Sequence, residues 1–225
     1  EVAKSLFRRL EAPGAIDSVP FANDKVKMLE ISIEKNCPLI NMPLKNLTEK
    51  FPNFKANIVG LVREEKFQFL KKEDKLKEGD NVYVVVSSDQ LNEILKAFGH
   101  DEKTSKKILI IGGGNIGFHL AKMVEENFEG ARIKIIEKDK SRAEEIATEL
   151  TSSIVINGDA LDEEILKEAN LEESETVLAL TNDDENNIMA CVLAEKTGKT
   201  KRTIAIVNKS NYSLLQSSLN IDDLV

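Results

Sequence analysis

The chain has 225 residues, enough for one large or two modest cores, with 41% hydrophobic and only 5% aromatic residues. Its 31 Lys and Arg against 39 Asp and Glu leave a net charge of -8, which argues against a nucleic-acid partner, since neutralising phosphates takes a basic face. No apolar run reaches the length of a membrane span, so a membrane connection has to come through a partner; Cys37 and Cys191 show neither metal nor redox spacing and read as reduced thiols.

Val2, Leu6 and Leu10 recur at helical spacing until Glu11–Gly14 stops the pattern. No strand precedes this helix, which alone has little reason to be stable, so it reads as the remainder of something upstream. The chain begins at Glu1 with no signal peptide and reads as an excised fragment. Apolar residues then alternate as in a strand from Val26 to Ile33. Pro38, Pro43 and Pro52 punctuate the next stretch, leaving room for a short helix around Leu44–Phe51. Ala56–Arg63, Lys66–Leu70 and Asn81–Ser87 read as three further strands, with Glu78–Asp80 as the turn before the last. Ser87 and Gln90 have the spacing of a capping box for a helix over Gln90–Phe98, which Gly99 ends. The order β-α-β-β-β-α makes 21–101 a small α+β domain, with 1–20 as a leading crossover helix.

His100–Lys107 is polar and charged and reads as a linker. From 106 to 225 strands and helices alternate. Strands fall at Ile108–Ile111, Arg132–Ile136, Ser153–Ile156, Thr176–Leu180 and Thr203–Val207. Helices fall at Ile116–Glu126, Ser141–Leu150, Asp162–Ala169 and Asn186–Thr197, and a fifth begins near Tyr212. Such alternation predicts an α/β fold, a Rossmann-like doubly wound parallel sheet with right-handed crossovers. The chain ends at Asn220–Val225, where another strand is expected, so the far edge of the sheet reads as cut.

Gly112, Gly114 and Gly117 stand at G-x-G-x-x-G spacing between the first of these strands and its helix. The first glycine permits a tight turn, the second lets backbone approach a pyrophosphate, and the third lets helix pack on strand, with the helix N-terminus facing the phosphates. Glu137 ends the second strand, where a carboxylate can accept both ribose hydroxyls and repels a 2′-phosphate. Asp159, in the turn after the third strand, either meets the adenine edge or caps the following helix. The stretch Thr181–Asn187 follows the fourth strand into the same crevice. Its acids suit a cation or a ribose, or simply the positive end of a helix that Asn182 caps. His119 lies one turn inside the glycine-loop helix and His100 in the linker, and neither is placed to transfer a proton to a substrate carbonyl. Cys191 sits among Ile188, Val192 and Leu193 and reads as core.

The motifs IGGGNIG, IIEKD, NGDA and TNDDEN, in that order between Lys106 and Val225, resemble the nucleotide-binding half of the RCK/KTN domains, which regulate potassium channels and transporters. The earlier part, with Gly79-Asp80 before its last strand, resembles the regulatory C-terminal half of that family, and Glu1–Asp17 resembles the crossover helix between halves. In a single module the nucleotide-binding half comes first. The reversed order here implies the middle of a tandem protein, from the end of one module into the start of the next.

The resemblance implies a cytoplasmic, non-enzymatic regulatory subunit at the inner face of the membrane. Such a subunit binds NAD+ or NADH, or ATP and ADP, gates a membrane potassium transporter subunit, and self-associates as a homodimer or tetramer, with no metal. It puts the phosphate loop on Gly112, Gly113, Gly114, Asn115, Ile116 and Gly117, and the ribose carboxylate on Glu137. The adenine-side turn falls on Asp159 and Ala160, and further crevice contacts fall on Thr181, Asn182 and Asp184. Ile206 is a departure: members often carry Arg there, and its absence removes a phosphate partner. The alternative class is an NAD-dependent oxidoreductase with an unfamiliar N-terminal domain.

Overall fold

The computed structural model describes residues 1–101, 104–197, 200, 202–209, 212, 216–219 and 221–225. The chain divides into two compact units, one of Ser5–Thr104 and one of Ser105–Val225 together with Glu1–Lys4. Helix α1, Val2–Glu11, runs across that division with Leu6 and Leu10 buried.

The Ser5–Thr104 unit is built on an antiparallel sheet. Its strands are β1 (Asp17–Phe21), β2 (Val26–Ser32), β3 (Ala56–Arg63), β4 (Lys66–Phe69) and β5 (Asn81–Ser87), in the order β1-β2-β5-β3-β4. Side chains alternate across a strand, so one face supplies a core. Leu29 and Ile31 of β2 and Val82, Val84 and Val86 of β5 are buried with Leu91, Ile94 and Leu95 of α3 (Leu91–Ala97). The expected helix around Leu44–Phe51 is a 3-10 turn, Leu44–Asn46, continued by one helical turn, α2 (Leu47–Lys50). The capping box of Ser87 and Gln90 does not form, because Ser88–Gln90 winds as a 3-10 turn and neither side chain caps.

Strand β1 is not expected from the sequence and straddles the end of the 1–20 segment expected as a crossover helix. Pro20 can stand in it because β1 is an edge strand, where a missing N–H breaks no inner ladder. The turn into β2 holds Ala22, Asn23 and Asp24 at φ of 52, 54 and 65°. At the other end of the sheet, Asp80 is 1% exposed. Its carboxylate accepts from Nε and Nη2 of Arg63, each at 2.7 Å, and from Lys77 N at 2.8 Å, tying the start of β5 to the end of β3.

The glycine-loop unit alternates strand and helix as expected. Strands β6 (Lys107–Ile111), β7 (Arg132–Glu137), β8 (Ile154–Asn157), β9 (Thr176–Ala179), β10 (Arg202–Ala205) and β11 (Asp223–Leu224) all pair in parallel, in the order β11-β10-β9-β6-β7-β8. All of β9, and β6 from Ile108 on, are buried, which is why their sequence is continuously apolar rather than alternating. The connecting helices are α4 (Asn115–Asn127), α5 (Lys140–Glu149), α6 (Glu163–Glu168), α7 (Asp184–Thr197) and, within the last connection, α8 (Gln216–Leu219). The strand wanted at the far edge is present as β11, held in parallel register to β10 through Ile204–Asp223 and Ala205–Leu224. The centre of the polar linker, 102–103, and 213–215 of the helix expected near Tyr212 lie outside the described residues.

The chain steps outward from β6 to β7 and β8, then returns to lay β9 on the other side of β6. Loops leaving β6 and β9 therefore part in opposite directions, and a crevice opens at the carboxyl ends of the strands.

Candidate functional site

That crevice is a cleft of about 720 Å³, lined by residues at the carboxyl ends of β6, β7, β8, β9 and β10. After β6 it is lined by Gly112, Gly114, Asn115 and Ile116, and after β7 by Glu137 and Lys138. Asp159 and Ala160 line it after β8; Thr181, Asn182 and Asp183 after β9; Ile206 and Asn208 after β10.

The three glycines do three different things. Gly112 has φ of 104°, and a Cβ there would lie 3.0 Å from Thr181 N. A Cβ on Gly117 would lie 2.0 Å from Gly112 O, so α4 can start directly over the β6 turn only without a side chain at that position. A Cβ on Gly114 meets nothing within 4 Å; this glycine faces the open cleft. The first helical bond of α4 runs from Phe118 N to Gly114 O at 2.9 Å, and no side chain caps the helix at Gly114. The amides of its first turn therefore have no helical acceptor and point, with the positive end of the helix, toward the cleft. This is the arrangement that attracts a phosphate.

Gly113 does not line the cleft. It lies behind the loop, where its N–H donates to Glu137 Oε2 at 2.7 Å, while Asp139 N donates to Glu137 Oε1 at 2.8 Å. Glu137 is thus aimed by two backbone amides and keeps lone pairs for further donors. Arg142 Nε in turn donates to Gly113 O at 2.9 Å, fixing the loop from the α5 side.

The two roles left open for Asp159 separate here. Asp162 caps α6, its Oδ1 accepting from Glu164 N at 2.8 Å. Asp159 instead holds Lys138 Nζ at 2.8 Å on one oxygen and Leu161 N at 3.0 Å on the other. The bond to Lys138 lowers the Asp159 carboxyl and raises the Lys138 ammonium from their ordinary values.

After β9 the cap of α7 is Asp183, not Asn182: its Oδ1 accepts from Asn186 N and its Oδ2 from Asn186 Nδ2, both at 2.9 Å. Asn182 is left exposed at the cleft. Asp184 lies behind the wall, 5% exposed, and accepts from Asn208 N at 3.0 and 2.9 Å and from Lys209 N at 3.0 Å. It shapes the cleft by seating Asn208, which does line it. Among the described residues no group of His, Cys, Asp and Glu is set to hold a metal ion.

Three residues that position this site escape a reading of the sequence. Lys138 had no role beside its acidic neighbour. Asn208 follows β10 with no motif around it. Asn187 is fully buried, and its amide accepts from Thr181 N at 3.0 Å and donates to Thr181 O at 3.0 Å and Ile206 O at 2.9 Å, stapling the β9 loop to the end of β10. Only the run of Asn residues after the fourth strand hinted at it. His119 is exposed against the Phe118 ring, 5.4 Å between centroids, and does not line the cleft. Burial pushes the Cys191 thiol up to about 12, which leaves it inert in the core.

With this geometry in place, comparison with known proteins gives consistent matches. Residues 108–225 match the family model of the TrkA-N domain, and residues 28–99 match that of the TrkA-C domain. A Trk system potassium uptake protein TrkA from Azorhizobium caulinodans is 41% identical over 225 residues, 100% of this chain and 49% of that protein. Its counterpart from Vibrio alginolyticus is 32% identical over 218 residues, 97% of this chain and 47% of that one. The chain spans about half the length of the curated relatives it matches. In fold it is similar to the GsuK RCK domain, with a TM-score of 0.65 and 19% identity, covering 100% of this chain and 48% of that one. It is equally similar to the GsuK channel bound to NAD, with a TM-score of 0.65 and 17% identity, covering 100% and 39% of the two chains.

Proposed function

This chain belongs to the TrkA-N domain family, and we propose that its glycine-loop unit binds NAD+ or NADH, or ATP and ADP, as the sensing site of a regulatory subunit in potassium uptake. The observation that carries this is the joint presence, in one cleft, of uncapped α4 amides beside the open Gly114 and a carboxylate, Glu137, aimed by two backbone bonds. The pyrophosphate or terminal phosphates meet the amides of Asn115 and Ile116, and the ribose hydroxyls donate to Glu137. Ala160 lies at the adenine side, and Thr181 and Asn182 close the cleft opposite.

A bound nucleotide regulates only by holding one arrangement of the protein better than another. The β9 loop is suited to that, since Asn187 ties it to the wall made by β10. The signal passes to a membrane potassium transporter subunit, with the chain acting as a self-associating, non-enzymatic subunit at the cytoplasmic face. No described helix is long and apolar enough to cross a membrane, which fits a link through a partner.

Calorimetric titration with NAD+, NADH, ATP and ADP tests the proposal. Binding is expected, with affinity falling at least about tenfold in Glu137→Ala as two charge-assisted bonds are lost. Absence of binding at millimolar nucleotide defeats it. Oxidation of added NADH by small keto acids would instead favour an oxidoreductase.

A further inference from the structure

Asp159 stands in the cleft wall, yet its carboxylate is spent on the protein: one oxygen holds Lys138 Nζ and the other Leu161 N. Lys138 matters because of its place. It directly follows Glu137 at the tip of β7, and among the described residues it is the only basic one lining the cleft, against the acids Glu137, Asp159 and Asp183. Its main chain is also fixed, since Asn157 Nδ2 donates to Lys138 O at 3.1 Å and to Glu137 O at 2.9 Å. An ammonium free to swing beside a ribose-binding carboxylate would pair with a phosphate on the ribose 2′-oxygen and offset the repulsion from Glu137.

We infer that Asp159 is a positioning residue that holds Lys138 off the ribose 2′ position, so that the cleft selects nucleotides with a free 2′-hydroxyl over 2′-phosphorylated ones. The inference rests on the reading of the cleft as a nucleotide site. Glu137 supplies the repulsion, and Asp159 keeps the Lys138 ammonium, which lines the same cleft, from cancelling it. Asp183 adds its charge to the hold on Lys138. The side chains of the pair are 77% and 46% exposed, so salt screens the hold and the selection is sharpest at low ionic strength.

The test is calorimetric titration of the whole chain at low salt with NAD+ and NADP+, which differ only in the 2′-phosphate. Three forms are compared: the unsubstituted chain, Asp159→Asn, and Asp159→Asn combined with Lys138→Met. Asn keeps an acceptor for Leu161 N and removes the charge. In Asp159→Asn the ratio of the NADP+ to the NAD+ dissociation constant should fall about tenfold, the gain of one charge-assisted bond. In the double variant it should return to the starting value. An unchanged ratio in Asp159→Asn, with NAD+ still bound, overturns the inference. So does a gain that survives Lys138→Met, since loss of a negative charge would then explain it. Failure of the unsubstituted chain to bind NAD+ overturns the nucleotide reading and this inference with it.

Discussion

At the scale of single residues, the glycine loop separates stability from binding. Gly114 has φ of -62° and ψ of -172°, backbone open to any residue, and open space where a side chain would go. Gly114→Ala should therefore keep stability within about 0.5 kcal/mol, as a surface substitution does, while its methyl group blocks the phosphate approach and weakens nucleotide binding. Gly117→Ala drives a Cβ onto a backbone oxygen that cannot swing aside, and should cost about 2 kcal/mol or more in urea unfolding. If Gly114→Ala unfolds the chain and Gly117→Ala does not, the roles given to the two glycines are wrong. These roles are legible in the sequence because they follow from spacing along a strand, turn and helix. The roles of Asn187 and Lys138 are not, since the bonds from Asn187 to Ile206 and from Lys138 to Asp159 span 19 and 21 residues and depend on which loops the fold brings together.

At the scale of elements, the β3–β4 hairpin shows a local sequence at odds with its turn. Arg63 pairs with Lys66, so Glu64 and Glu65 form the whole turn, at φ of 51° and 61°. Both are left-handed, the conformation of a two-residue turn that prefers Asn-Gly and costs an ordinary side chain roughly 1 kcal/mol or more. Replacing Glu64-Glu65 with Asn-Gly should raise stability by about 1 kcal/mol, read as a higher urea midpoint at unchanged slope. A lower midpoint would mean that the two acids are held by something other than the turn. The same physics explains which strands the sequence disclosed. Strands β6 and β9 are core strands whose burial demands apolar runs, and β7 buries Ile133, Ile135 and Ile136. Strand β1 carries Pro20 on an edge and turns through three left-handed residues, and β11 has two residues, Asp223 and Leu224, so neither carries a periodic signal. What fixes them is pairing with β2 and β10, a property of the sheet rather than of the segment.

At the scale of the whole molecule, the cleft proposed to bind nucleotide occupies one end of its sheet, and a separate clamp secures the opposite end. Glu125, near the end of α4, accepts from Thr151 N at 3.0 Å, Ser152 N at 2.9 Å and Ser153 N at 2.6 Å, and from Ser153 Oγ at 2.6 Å, gathering the loop that enters β8. Burial alone would raise this carboxyl, but the Ser153 hydroxyl and the three amides outweigh it and hold the group at about 2, against an ordinary 4.5. A carboxyl depressed in the folded state stabilises the fold above its unfolded value, and that contribution fades as pH falls from about 4.5 toward about 2. Its size is about 3 kcal/mol. Glu125→Gln should therefore lower the stability of the glycine-loop unit by about that amount at pH 7 and by progressively less toward pH 2. Every one of these partners lies in that unit, so the loss is read in its own unfolding transition. The clamp lies where the chain enters β8 and the cleft where it leaves, so at a temperature where the variant is folded its dissociation constant for NAD+ should match that of the unsubstituted chain. A variant that loses stability and affinity together would mean the two ends of the sheet are coupled, and that the cleft senses strain at the far side of the unit as well as its own ligand.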